Sequence, residues 1–158
     1  MADLKPAAQR VQDALRDKGL ESQVRHMPQA TRSADEAAAA CGCSVGQIVK
    51  SLVFRGAASG KPYLLLVSGA NRVNQEGVAQ VLGEALRRPD ANDVRDITGF
   101  AIGGIPPLGL KTPLATYLDA ALLDYALVWA AAGTPDAVFP IAPDRLAAAT
   151  GASIICVS

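Results

Sequence analysis

Two apolar, β-branched-rich runs, residues 47–55 and 62–68, bracket a short segment with glycine at both ends, Gly56 and Gly60. Runs of that length and composition, bounded by turn residues, read as strands. Their spacing predicts an antiparallel pair, and a pair of strands must find further strands or helices to cover its faces. Downstream, residues 114–118, 126–131, 137–141 and 152–157 read as four more strands. Residues 23–27 make a short strand that Pro28 ends. Helical patterns fall at residues 5–19, at 33–42 behind a Ser33 cap, at 74–82 behind an Asn74 cap, at 91–97 and at 143–149. Serine and asparagine suit these starts because their side-chain oxygens accept the free N–H groups of a first turn. The order mixes strands and helices without steady βαβ alternation. It predicts an α/β (α+β) fold: a mixed, strongly curved sheet, a partial barrel, with helices packed outside.

The 158 residues show no repeat or low-complexity linker, which predicts one domain over residues 1–158. Fifteen basic and fifteen acidic residues give no global footprint for nucleic acid. No apolar run approaches the ~20 residues of a membrane span. The N-terminus lacks the apolar core of a signal peptide, so a cytoplasmic location is expected. Three cysteines, an odd number, argue against a disulfide framework, and Cys41 and Cys43 are spaced as C-x-C, so all three read as structural thiols.

Lys50 stands out because it interrupts an apolar strand. Side chains alternate along a strand, so Ile48, Lys50 and Leu52 share one face while Val49, Ser51 and Val53 share the other. An ammonium on an apolar face must snorkel, pair or serve a ligand. The alternative is an edge-strand gatekeeper charge. His26 is the sole histidine, so a Ser-His-Asp or Cys-His device would need it. At a strand end beside Pro28 it reads as structural. No His, Cys and carboxylate set has metal-ligand spacing, and no cofactor motif is present. The segment from Thr98 to Gly109 holds four glycines and the adjacent Pro106 and Pro107 in twelve positions. Such a loop is stiff and offers bare backbone groups to a ligand. Arg55, Lys61, Arg72, Arg87, Arg88 and Lys111 could form a basic rim.

Taken in order, His26-x-Pro28 with Thr31, then Val49-Lys50-Ser51-Leu52, then Ser68-Gly69 with Arg72-Val73-Asn74, then Thr98-Gly99-Phe100 running into Gly103-Gly104-Ile105-Pro106-Pro107-Leu108-Gly109 resemble the YbaK family of aminoacyl-tRNA deacylases. These are relatives of the editing domain of prolyl-tRNA synthetase. The resemblance covers residues 24–157. It implies trans-editing: hydrolysis of a wrong amino acid, cysteine or alanine, from the tRNA for proline. The family's essential lysine falls on Lys50, which would orient the substrate. Its G-x-x-x-P loop falls on Gly103, Gly104, Ile105, Pro106 and Pro107, which would bind the aminoacyl-adenosine end together with Ser51, His26, Thr31 and Gly133. Arg72, Lys111 and Arg55 would meet the tRNA. The implied partners are mischarged tRNA and, in an accessory arrangement, prolyl-tRNA synthetase, with no cofactor. Two departures stand out: Leu110 follows Gly109 where some relatives carry a polar residue or histidine, and Asp136 or Val138 occupies the region in which some members carry a functional aspartate. The rival reading is a non-catalytic nucleic-acid-binding or synthetase-accessory module.

Overall fold

The computed structural model describes residues 4–158. Residues 1–3, on which the signal-peptide expectation partly rests, lie outside the described residues. The fold is organised around β2 (Ile48–Gly56) and β3 (Pro62–Ser68), which pair antiparallel over seven residues from Val49↔Ser68 to Arg55↔Pro62. β3 reads as a nearly continuous apolar run because both its faces are covered. Leu64 and Leu66 join the main core with Val49, Val53, Leu118 and Phe139, whereas Leu65 and Val67 meet Phe54, Val78 and Val157 on the opposite face.

The remaining strands are β1 (Arg25–His26), β4 (Leu86–Arg87), β5 (Ala115–Asp119), β6 (Val128–Ala131), β7 (Ala137–Ile141) and β8 (Ser153–Ile155). They extend the sheet in the order β1-β7-β6-β2-β3-β5-β8, with β4 paired to β2. The β2–β6, β3–β5 and β5–β8 pairs are parallel and the others antiparallel. The sheet is therefore mixed, as expected, and it is open, ending at β1 and β8.

Among the described residues five α-helices accompany it: α1 (Pro6–Asp17), α2 (Ala34–Cys41), α3 (Gln75–Leu82), α4 (Ala91–Thr98) and α5 (Pro143–Thr150). Ser33 and Asn74 cap α2 and α3 as anticipated, accepting the N–H groups of Glu36 and Gly77. α1 buries Ala8, Val11 and Leu15 completely, the stripe that its spacing predicts. Among the described residues no helix is long and apolar enough to cross a membrane.

Three elements escaped the sequence reading, the first a 3-10 turn at Val45–Gln47 that leads into β2. β4 has two residues, too few for any periodicity, and exists because it pairs with Arg55 and Gly56. A 3-10 turn at Ala120–Asp124 follows β5, started by Asp119. β1 is also shorter than the strand expected over residues 23–27.

The β2–β3 turn is held by Glu84. Its carboxylate accepts the N–H groups of Ala58 (3.1 Å) and Ser59 (2.9 Å) and the hydroxyls of Ser59 (2.7 Å) and Tyr63 (2.7 Å). A Cβ at Gly56 would overlap that carboxylate, so a side chain there would displace Glu84 from its hydrogen bonds. The bonds from Ser59, followed by that from Tyr63, hold the Glu84 carboxyl down to about 2. A carboxyl whose folded value is depressed stabilises the fold above its unfolded value, here near 4.5, and that stability is lost as pH falls toward 2. The urea midpoint of the wild type should therefore drop between pH 4.5 and pH 2.5. Glu84→Gln should start lower at pH 6 and show a shallower drop. A variant with the wild-type slope would remove Glu84 as the cause.

Candidate active site

β3 lines one flank of β2 along almost its whole length. The other flank is shared: β6 pairs with Ile48 and Val49, and β4 with Arg55 and Gly56. No described strand pairs with residues 50–54 on that side. A cavity of about 600 Å³ opens at this gap. Its walls come from the segment leading into α2 (Thr31, Arg32), from the glycine-proline loop (Gly103, Ile105), from the β6–β7 turn (Thr134, Pro135) and from Trp129 on β6. Ile48, Val49, Lys50, Ser51 and Leu52 line it from β2. Ile48 packs on Ala37 and Ala38 of α2, while Val49 and Val53 turn into the main core, matching the predicted alternation.

Lys50 is half-buried in this largely apolar setting. Its Nζ donates to the backbone carbonyl of Asn71, and no carboxylate of the described residues lies within ion-pairing distance. Burial pushes its pKa down, the nearby Arg72 guanidinium pushes it further, and Asp119 pulls it partly back.

Asp119 fixes the carbonyl that Lys50 uses. It is 2% exposed and fully bonded. One carboxylate oxygen accepts the Ser68 N–H (3.1 Å) and the Asn71 side-chain amide (2.9 Å), and the other accepts the Ala121 N–H (3.0 Å). A buried carboxylate persists only when so paired. Asp119 went unnoticed in the sequence reading. The available signal was an acid ending the apolar strand Tyr117-Leu118-Asp119 and starting a turn.

The glycine-proline loop meets the site in two ways. Gly103 (φ +99°) and Ile105 line the cavity. Gly104 is buried, and its carbonyl accepts the Gly133 N–H at 2.9 Å. A Cβ on Gly104 would lie 2.7 Å from the Gly133 carbonyl oxygen, and one on Gly133 (φ +94°) would lie 2.6 Å from the Ala7 carbonyl oxygen in α1. Three backbone segments thus stack without side chains between them. Arg10 adds a further tie, donating to the Gly99 carbonyl (3.0 Å) and lying over the Phe100 ring (4.4 Å). Pro106 and Pro107 are buried and brace the loop from outside the cavity wall.

The other sequence candidates divide. Thr31 lines the cavity, its N–H bonded to the Pro135 carbonyl (3.1 Å). Ser51 lines it too, and its buried hydroxyl has no hydrogen-bond partner among the described residues. His26 lies off the cavity wall, with Nδ1 4.0 Å from Asp136. Asp136 itself is held by Thr134 (2.6 Å) and Lys5 (3.0 Å), which lower its pKa. Arg55 is committed to a two-pronged pair with Asp93 (2.6 and 2.8 Å) and to the Gly60 carbonyl (2.6 Å), so the structure does not bring it to the site. Lys111 is exposed beside Gly99, also off the cavity wall. Arg32 and Trp129 line the cavity and were not singled out by sequence. The Cys41 thiol is pushed up to about 11, mainly by burial, which keeps it protonated and a poor nucleophile at neutral pH.

Comparison with known proteins places this geometry. The aminoacyl-tRNA editing domain matches residues 28–149. A solved structure described as a candidate trans-editing enzyme for prolyl-tRNA synthetase superposes with a TM-score of 0.94, at 50% identity and over 99% of both chains. EbsC of Enterococcus faecalis, described as a candidate Cys-tRNA(Pro)/Cys-tRNA(Cys) deacylase, is 27% identical over 119 residues, covering 75% of this chain and 72% of its own. The proline–tRNA ligase of Limosilactobacillus fermentum is 35% identical over 89 residues, 54% of this chain and 16% of the ligase.

The electrostatics of Lys50 can be read directly. In an NMR titration of isotopically methylated protein, Lys50 should titrate below 10.5, the ordinary lysine value. Arg72→Ala should raise its pKa, and Asp119→Asn should lower it further. A wild-type Lys50 at or above 10.5 would overturn this account.

Proposed function

This chain belongs to the aminoacyl-tRNA editing domain family and is an aminoacyl-tRNA deacylase; from that premise we propose that it removes alanine or cysteine from mischarged tRNA for proline, with Lys50 as the central group. The observation that carries the reading is Lys50 itself. Its nitrogen stands in a half-buried cavity, bonded to a carbonyl and free of any described carboxylate.

The scissile bond joins an aminoacyl carbonyl to the terminal ribose. Water adds to the carbonyl carbon, the carbon–oxygen bond to the ribose breaks, and the ribose oxygen takes up a proton. Negative charge develops on the carbonyl oxygen, and a fixed cation in a low-dielectric site stabilises it well. Lys50 supplies that cation. The charged side chains of the described residues that line the cavity are Lys50 and Arg32, so the water proton is taken up by the substrate: the neighbouring ribose hydroxyl accepts it while passing its own proton to the leaving ribose oxygen or, for cysteine, the thiolate accepts it. The backbone around Gly103 and Ile105 receives the ribose and acyl end, with Ser51 and Thr31 as polar contacts. A cavity of about 600 Å³ suits a nucleoside with a small acyl group. Arg72, adjoining Lys50, meets a phosphate of the acceptor end. The likeness to part of a proline–tRNA ligase and to EbsC supports tRNA for proline as the carrier and cysteine as one substrate, with prolyl-tRNA synthetase as a partner that delivers it.

The test pairs the wild type with Lys50→Ala on alanyl-, cysteinyl- and seryl-tRNA(Pro). The wild type should release alanine or cysteine. Lys50→Ala should lose about 100-fold or more in kcat/KM, the scale for removing one stabilising group. Its thermal midpoint should stay unchanged or rise, because a costly half-buried charge is gone. A folded Lys50→Ala protein with wild-type turnover would overturn the assignment. No release from any of the three, with prolyl-tRNA synthetase present, would point to a binding role.

A further inference from the structure

We propose that this cavity takes the acyl group with its α-nitrogen uncharged, so that α-hydroxyacyl esters of tRNA are substrates in their own right; the proposal rests on the deacylase reading above. In an aminoacyl ester the α-nitrogen sits two bonds from the carbonyl carbon. Whatever receives the carbonyl therefore also receives the nitrogen.

Around that point the charged wall is cationic. Lys50 enters from β2 and Arg32 from the lead-in to α2, with Arg72 adjoining Lys50. The nearby acids are turned to other work. Asp119 accepts Ser68, Asn71 and Ala121. Asp136, on the β6–β7 turn, is held by Lys5 and Thr134. Glu36, on α2, accepts the Arg32 backbone N–H at 2.7 Å, and Asp35 lies in the exposed first turn of the same helix. None of these four lines the cavity. The rest of the wall near Lys50 is apolar, with Ile48, Leu52, Ile105 and Trp129.

An ammonium placed there meets like charge in a poorly solvated space, and both effects favour its neutral form. The same field already acts on Lys50, whose pKa is lowered by burial and by Arg72. An α-amine ordinarily titrates at about 7.7–8.0, so the neutral form is accessible near physiological pH. A hydroxyl at the same carbon is close in size to a neutral amine and carries no charge at any pH used.

Lactyl-tRNA(Pro) is the direct probe, since it differs from alanyl-tRNA(Pro) by a hydroxyl in place of the amine. Enzymatic hydrolysis of each would be measured from pH 6.0 to pH 8.5 as kcat/KM, with its own uncatalysed rate subtracted. The lactyl value should at least match the alanyl one. The lactyl-to-alanyl ratio should be greatest at pH 6.0 and fall about fiftyfold by pH 8.5, the change in the neutral fraction of an amine titrating at about 7.7–8.0. Because Lys50 serves both substrates, its titration cancels in the ratio. A lactyl value tenfold or more below the alanyl one at every pH would overturn the proposal, showing that the site recognises the amine. So would a ratio that does not change with pH. Hydrolysis of neither ester, with cysteinyl-tRNA(Pro) left intact as well, would instead remove the deacylase reading on which the proposal stands.

Discussion

Backbone N–H and C=O groups are obligatory hydrogen-bonding partners, and β2 is the strand on which this requirement shapes the whole molecule. One flank is satisfied by β3 over seven paired residues. The other is divided between a parallel neighbour at Ile48 and Val49 and an antiparallel one at Arg55 and Gly56. A strand served by two different neighbours leaves a gap between them. The gap carries Lys50, Ser51 and Leu52, and the cavity forms around it. Helix α2 closes the cavity from one side through Ile48, and the β6–β7 turn closes it from another. The site is thus a consequence of how the sheet branches.

Within that frame one buried acid does most of the positioning. Asp119 is far costlier to bury than its neighbours, and its three hydrogen bonds offset the cost. Because two of them reach Ser68 and Asn71, the loop after β3 is pinned to the end of β5. The Asn71 carbonyl is pinned with it, and the Lys50 ammonium follows. Lys50 therefore needs no salt bridge to be held in place. Its charge stays available to a ligand, which a carboxylate partner would have neutralised.

Most of the fold was legible because its signals are local. The two long strands, the Ser33 and Asn74 caps, the buried stripe of α1 and the face shared by Ile48, Lys50 and Leu52 all follow from residues a few positions apart. What was not legible depends on distant partners. Arg55 reads as a free cation until Asp93, 38 residues on, is seen to hold it. Asp119 reads as a strand-end acid until Ser68 and Asn71, 51 and 48 residues earlier, supply its donors. β4 has no sequence signature because pairing alone creates it. Chain-local chemistry predicts elements; it does not predict which charges are already spoken for.

The same distinction bears on the glycine-proline loop. Its glycines are not interchangeable sources of flexibility. Gly103 lines the cavity at φ +99°, a backbone conformation that a side chain would strain, whereas Gly104 is a contact surface. It lies so close to Gly133, and Gly133 so close to Ala7, that a methyl group on Gly104 would push the loop off the β6–β7 turn and one on Gly133 would push that turn off α1. Arg10 reinforces the stack by gripping Gly99 and covering Phe100. The conformation of the cavity wall is therefore set partly by α1, a helix that precedes the matched editing-domain segment. A rigid wall built from backbone and braced by a helix holds its hydrogen-bonding groups in place before a ligand arrives, and that preorganisation is what an electrostatic site needs, since groups already aimed cost nothing to reorient during reaction.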